Sequence, residues 1–246
     1  GLLSNIYLYS IGMNPRRTRL GTDHLVKRES VSPRHTFSVA RVRHDGRYDP
    51  EPAALEQLGA FMHNEHQVEL KITQAEPTKL SNQGMAFLTL TGGDTLSEAQ
   101  ATALKGYVEG GGTLWIDAAG GDDKASTAAF EAMSQIMPGK IATRLLADSP
   151  VISGLHDGRQ FGYDMGRVRF RPYALRSMGP VNSPRLQAIE VDGRPAVIFS
   201  AEDVTCALAG LKHWGIFGYL PDSARKLAAN SILHKLHHGG DSIAAR

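Results

Sequence analysis

The sequence has a single cysteine, Cys206, in 246 residues. One thiol cannot build a disulfide framework or a cysteine-rich zinc site, and it leaves the redox compartment open. No stretch approaches the ~20 consecutive apolar residues that a membrane-spanning helix requires. Excess charge is also lacking: 27 Lys and Arg against 25 Asp and Glu leave +2, which excludes an acidic disordered chain and a histone-like basic one. Aromatic residues make up only 7%, and no repeat of about 20–50 residues is visible. What is present is an ordinary globular composition, 41% hydrophobic and 21% charged. At roughly 150 residues per domain, this length fits one large domain or one domain with an appendage. Composition alone names no reaction.

Residues 1–10 lack the basic stretch and long apolar core of a secretory signal. Gly1 in place of Met reads as a chain processed or cut from something longer, so a place in a larger multidomain protein is expected. Charge is unevenly spread: Gly1–Arg43 carries eight Lys or Arg and two acids, Asp23 and Glu29. Asn5–Ile11 and Leu20–Val26 read as strands around the turn at Asn14-Pro15, which makes 1–35 a β-hairpin arm. Its cations from Arg16 to Arg34 have no interleaved aromatics to stack on bases. A solvated positive face is therefore expected, and no nucleic acid partner.

From Thr36 onward, strand and helix signals alternate. Phe37–Val42, Gln67–Thr73, Met85–Leu90 and Thr113–Asp117 read as strands, the third apolar throughout as a strand buried on both faces should be. Between them, Pro50 and Pro52 open a helix with Leu55, Leu58, Phe61 and Met62 at helical spacing, and Thr95-Leu-Ser-Glu98 offers a capping box for the next. A third helix, with Phe130, Met133, Ile136 and Met137, stops at Pro138. Arg144–Phe170 has little periodicity and reads as a long functional or capping loop, with Val168–Phe170 re-entering as strand. Leu186–Val191 and Ala196–Phe199 flank Asp192-Gly193, a strong hairpin signal. Pro221–Leu236 is the last helix and 239–246 a frayed tail. The expected fold is α/β: a doubly wound, mostly parallel sheet with helices on both faces over 36–238. To it are added the N-terminal arm and an antiparallel hairpin in the C-terminal half.

Doubly wound sheets bind ligands at the carboxyl ends of their strands. The ligand-binding candidates there are Asp45, Tyr48, Thr91, Gly92, Asp117, Ser200, Glu202 and Asp203, with His44, Asp49, Asp94, Asp122 and Asp123 close by in sequence. Converging carboxylates can hold a hard cation or act as acid and base. Several have plainer readings: Asp122 or Asp123 as a helix cap, Asp49 as the cap before Pro50, Asp45-Gly46 as a turn. Asp117 is the hardest to explain away, because it ends the apolar run Leu114-Trp-Ile. The glycines in Thr91–Asp94 and Ala118–Asp122 match neither Gly-x-Gly-x-x-Gly nor a phosphate loop and read as tight turns. Arg169 and Arg171 should project from one side of a strand, suited to an internal acid more than to a ligand. His234, His237 and His238 sit where a helix end favours positive charge. His213-Trp214 reads as a loop anchor, and Cys206, followed by Ala207 and Leu208, as a packing residue. No metal or cofactor is expected.

Five segments in order and spacing resemble a known family. They are Phe37-Ser-Val-Ala-Arg-Val-Arg-His-Asp-Gly-Arg-Tyr-Asp-Pro-Glu-Pro52, Leu88-Thr-Leu-Thr-Gly92, Leu96-Ser-Glu, Tyr107-Val-Glu-Gly-Gly-Gly-Thr-Leu-Trp-Ile-Asp117 and Ala196-Val-Ile-Phe-Ser-Ala-Glu-Asp203. They look like the bacterial family called domain of unknown function 4159, and the similarity runs from about Phe37 to Leu236. The resemblance implies a fold similar to class I glutamine amidotransferases, a flavodoxin-like sheet. It also implies relatives attached to secreted or membrane-anchored partners, which leans toward an extracytoplasmic location. Amidotransferases carry a nucleophilic Cys on the turn after the third strand, with a His as its base. Here that turn reads Thr91-Gly92-Gly93-Asp94. Some relatives have His where this chain has Gly93, and His where it has Ser149.

Three readings of function follow. The first is a catalytically silent module that binds a small molecule or a protein through the strand-end rim. The alternative is a carboxylate-dependent hydrolase or sugar-modifying enzyme, metal-assisted or metal-free, in which Asp117 and Glu202 act as acid and base. A structural module inside a larger envelope protein would bind no small molecule.

Overall fold

The structure is a computed structural model that describes residues 23–80 and 84–238. Its elements run β1 (His35–Val42), α1 (Ala53–His66), β2 (Val68–Ala75), β3 (Met85–Leu90), α2 (Glu98–Glu109), β4 (Thr113–Ala118) and α3 (Asp123–Ile136). They continue with β5 (Thr143–Arg144), α4 (Pro150–Ser153), β6 (Leu155–His156), β7 (Arg159–Gln160) and α5 (Pro172–Met178). The last are β8 (Gln187–Val191), β9 (Arg194–Ser200), α6 (Thr205–Leu208) and α7 (Pro221–His238).

One sheet has the order β2-β1-β3-β4-β9-β8-β5. Its first five strands are parallel, while β8 and β5 extend it antiparallel. A separate two-stranded ribbon joins β6 and β7. β3 and β4 are buried at every position, because helices cover both faces of a parallel sheet and leave no wet side. Side chains alternate across the strands. Phe37, Val39, Phe87, Trp115 and Ile198 meet α1, α6 and α7, whereas Ala40, Leu88, Leu114, Ile116 and Val197 meet α2 and α3. Phe87 and Trp115 stack at 5.8 Å between ring centroids.

Local signals act close to where the sequence places them. Asp192 (φ 53°) and Gly193 (φ 72°) make the two positive-φ residues of the β8–β9 turn, a conformation that matches the twist of the strands it joins. Asp122 caps α3 by accepting from Ala125 N–H at 2.8 Å. The capping box of α2 forms two residues later than expected, between Ser97 and Gln100. Asp49 does not cap α1, which begins after Pro52; its carboxylate instead pairs with buried Arg41 at 2.8 Å.

Three expectations need correction. Residues 144–170 form short elements in place of one long loop. Val168–Phe170 is not a strand: Phe170 makes one isolated bridge to Tyr219, and Pro172 then starts a helix. Most of the hairpin arm, and the tail 239–246, lie outside the described residues. The described part of the arm, 23–34, contains no strand. It lies across α1 and α7, with Leu25 N–H donating to Gln57 at 2.6 Å and Arg225 bonded to Asp23. Lys27 and Arg28 are exposed on it and form surface pairs with Glu69 at 2.5 Å and Glu65 at 3.3 Å. No helix among the described residues is long and apolar enough to cross a membrane.

Candidate functional site

At the carboxyl ends of the central strands, β4 ends on Asp117-Ala118 and β9 on Ser200, with Asp117 and Ser200 in register. The chain leaving β9 turns so that Asp203 arrives beside Asp117 at the amino end of α6. Asp117 is 1% exposed and accepts from Val204 N–H at 3.0 Å and Thr205 N–H at 2.8 Å. Asp203, fully buried, accepts from Gly120 N–H at 2.8 Å and from Cys206 and Ala207 N–H, both at 3.3 Å. Burial, and after it the charge of Asp203, pushes Asp117 up to about 8. Burial raises Asp203 as well, against the amide of Gly120 and the guanidinium of Arg171. Two carboxylates this close and this dry cannot both ionise at neutral pH, so the pair retains a proton.

Cys206 follows on the first turn of α6 and is 6% exposed. Its burial is as expected, but its surroundings are acidic and not apolar. Burial and the neighbouring Asp203, Glu51 and Asp117 all push the thiol upward, and its S–H bonds to Asp203. A reactive cysteine needs the reverse, a cationic or helix-N-terminal setting that favours thiolate. The amides at the start of α6 are already committed to the two aspartates.

The other predicted residues do not join this group in one cleft. Glu202 is turned toward β8, where its Oε1 accepts from Arg185 Nε and Ser200 Oγ donates to its backbone carbonyl at 2.6 Å. Its Oε2 is buried with no partner, and burial raises it despite Arg185. Asp45 lines a shallow hollow of about 310 Å³ with Arg43, Glu76 and Gln100. Tyr48 borders a crevice of about 10 Å³ with Glu51, Thr89 and Thr205, room for one water at most. Thr91 gives its amide (2.7 Å) and hydroxyl (2.9 Å) to Asp94, which closes the turn after β3. Burial would raise Asp94, but those bonds outweigh it and hold the carboxyl low. A Cβ on Gly92 would meet the Lys124 side chain at 2.7 Å, so this glycine is there for packing. His44 donates Nε2–H to the Thr89 carbonyl at 2.9 Å and accepts Gly46 N–H on Nδ1 at 3.0 Å. Among the described residues, no three His, Cys, Asp or Glu side chains could hold a metal ion. The ring of His234 lies 6.0 Å from that of His156.

A larger cleft opens beside this knot, and the sequence did not single it out. It measures about 650 Å³ and is lined by Arg171, Tyr173, Arg176, Lys212, His213 and Trp214, with Pro172 and Leu220. Two expectations change here. Arg169 and Arg171 do not share a face: Arg169 is exposed near Asp222 at 3.9 Å, while Arg171 is buried against the 213–219 backbone. Trp214 is no anchor, being 67% exposed with its ring edge-on to Tyr173 at 5.1 Å. The available signal was the run of cations and aromatics in 171–176 and 212–214, which only the fold brings together.

Residues 38–236 match the family described as Domain of unknown function (DUF4159). The chain belongs to that family. No curated protein matches its sequence. The DUF4159 match begins within β1 and ends within α7, so all but the first three residues of the seven-stranded sheet, together with the aspartate knot and the basic cleft, lie in the matched region.

Proposed function

We propose that this DUF4159 chain is a non-catalytic binding module with an amidotransferase-like, flavodoxin-like fold. The parallel order β2-β1-β3-β4 and the placement of helices on both faces support that fold. The observation that carries the functional reading is the state of the lone thiol. Cys206 is held as S–H among Asp203, Glu51 and Asp117, and the turn after β3, where a nucleophile would sit, is closed by Asp94 upon Thr91. Neither position offers an activated attacking group.

Iodoacetamide tests this directly. Cys206 in the folded chain should label at least about 100-fold more slowly at neutral pH than in the urea-unfolded chain, since thiolate is the reacting species. Rapid labelling of the folded chain would overturn the silent reading.

A carboxylate-dependent hydrolase is favoured by one feature, the burial of Asp117 beside Asp203, which pushes its carboxyl up to about 8, because perturbed carboxyls mark acid–base sites. Against it, both carboxylates are inaccessible and spent on backbone amides, and Glu202 faces Arg185 and not Asp117. Loss of turnover of any ester or glycoside in a folded Asp117→Asn chain would revive it.

A further inference from the structure

We propose that the cleft lined by Arg171, Arg176, Lys212, Tyr173 and Trp214 binds a small organic anion, a carboxylate or phosphate joined to a flat apolar body. The inference deepens the binding-module reading and rests on it. Three independent features converge on this one cavity.

Charge is the first. Arg171, Arg176, Lys212 and His213 line the cleft and none of its lining residues is acidic, so its field favours anions, with Asp203 acting on Arg171 and Glu51 on His213 from outside the lining. Lys212 and Arg176 are exposed at its mouth.

The second is an unmet donor. Arg171 is 3% exposed. Its Nε donates to the Tyr219 carbonyl at 3.1 Å and its Nη1 to the His213 carbonyl at 3.4 Å, but Nη2 has no acceptor. Asp203 acts on it only through space. A buried guanidinium N–H without an acceptor is costly, and a planar oxyanion suits the guanidinium fork. A ligand carboxylate or phosphate would supply what the chain does not once the Arg171 fork, now covered, turns toward the cleft it lines.

The third is the aromatic wall. Trp214 presents its indole to solvent, edge-on to Tyr173, with the Arg176 guanidinium 5.8 Å from its ring centroid. Tryptophan and arginine left open in this way are the residues that carry recognition of flat groups. The volume, about 650 Å³, matches sites for small molecules and is too small for a folded partner.

Trp214 also reports occupancy, because the other tryptophan, Trp115, is fully buried against Phe87 and stays silent. Titrating the full chain with phenyl phosphate, benzoate, inorganic phosphate and phenol should show saturable change of Trp214 emission with the first two. Inorganic phosphate should bind at least about tenfold more weakly, and phenol should not saturate. Arg176→Ala and Lys212→Ala alter exposed side chains that the fold does not need; each should weaken phenyl phosphate by about three- to tenfold, and added salt should weaken it further. Equal binding of phenol, or no saturation by either organic anion, or unchanged affinity in both variants, would overturn the site. Phosphate release from phenyl phosphate would sink the silent reading while leaving the site standing. An inert thiol with no anion bound would do the opposite.

Discussion

Asp117 and Asp203 divide five backbone amides between them: Val204 and Thr205 bond to the first, Gly120, Cys206 and Ala207 to the second. The two carboxylates thereby fasten the turn after β4 to the turn after β9. Their position resembles that of catalytic acids, and their bonding is that of a structural knot.

Removing Asp117 should therefore cost stability before anything else. Asp117→Ala strands two buried N–H donors at about 1–3 kcal/mol each, so a loss of about 3 kcal/mol is expected. Asp117→Asn, which can still accept one bond, should lose about half as much. Urea unfolding measures both, and a wild-type midpoint for the alanine variant would deny the knot its role.

Raised carboxyls also give the stability a direction in pH. The folded pair keeps a proton that the unfolded chain releases near pH 4. Their contribution is therefore full below that pH, declines as pH rises toward about 8 and levels off above it. Asp117→Asn should flatten the profile between pH 5 and 8, read from urea midpoints, whereas a parallel profile would place the proton elsewhere.

Gly121 and Gly120 make a matched pair. Both have positive φ, at +65° and +80°, but a Cβ on Gly121 would fall 1.7 Å from the Phe217 carbonyl oxygen while one on Gly120 meets nothing within 4 Å. Gly120→Ala should cost only the strain of a left-handed residue, about 1–2 kcal/mol. Gly121→Ala must push the 203–218 bridge apart and should prevent soluble expression or cost several times more. Thermal unfolding of the two side by side settles the comparison.

Arg41 offers a fourth test. Its guanidinium is buried and bonds Asp49 and the Pro52 carbonyl, with Glu56 at 3.3 Å. Asp49→Ala leaves a covered cation without its main partner and should cost about 2–3 kcal/mol, below the figure for a fully buried pair because Asp49 is partly wet. An Asp49→Asn chain should recover part of that loss in the same denaturation assay.

Much of the fold was legible because its signals are local. The apolar run Met85–Leu90 reads as a strand covered on both faces, Thr113–Asp117 as the next strand, and Asp192-Gly193 as a hairpin turn. The site was legible only in part. Asp117 stood out as an acid at the end of an apolar strand, and Asp122 or Asp123 as a cap. Nothing in the sequence showed that Glu202 would turn to Arg185, that Cys206 would lie among acids, or that Arg171 and Trp214 would share a wall.

What the chain order alone determined is the alternation of strands and helices, since periodicity and caps act over a few neighbouring residues. Tertiary structure decided every partner that matters chemically. Asp117 meets Val204 across 87 residues and Arg171 meets Tyr219 across 48, and a hydrogen bond has a definite length and direction that no local pattern encodes. Which backbone amides reach Asp117 and Asp203, at 2.8 to 3.3 Å, was decided by the folded sheet and not by any neighbouring residue.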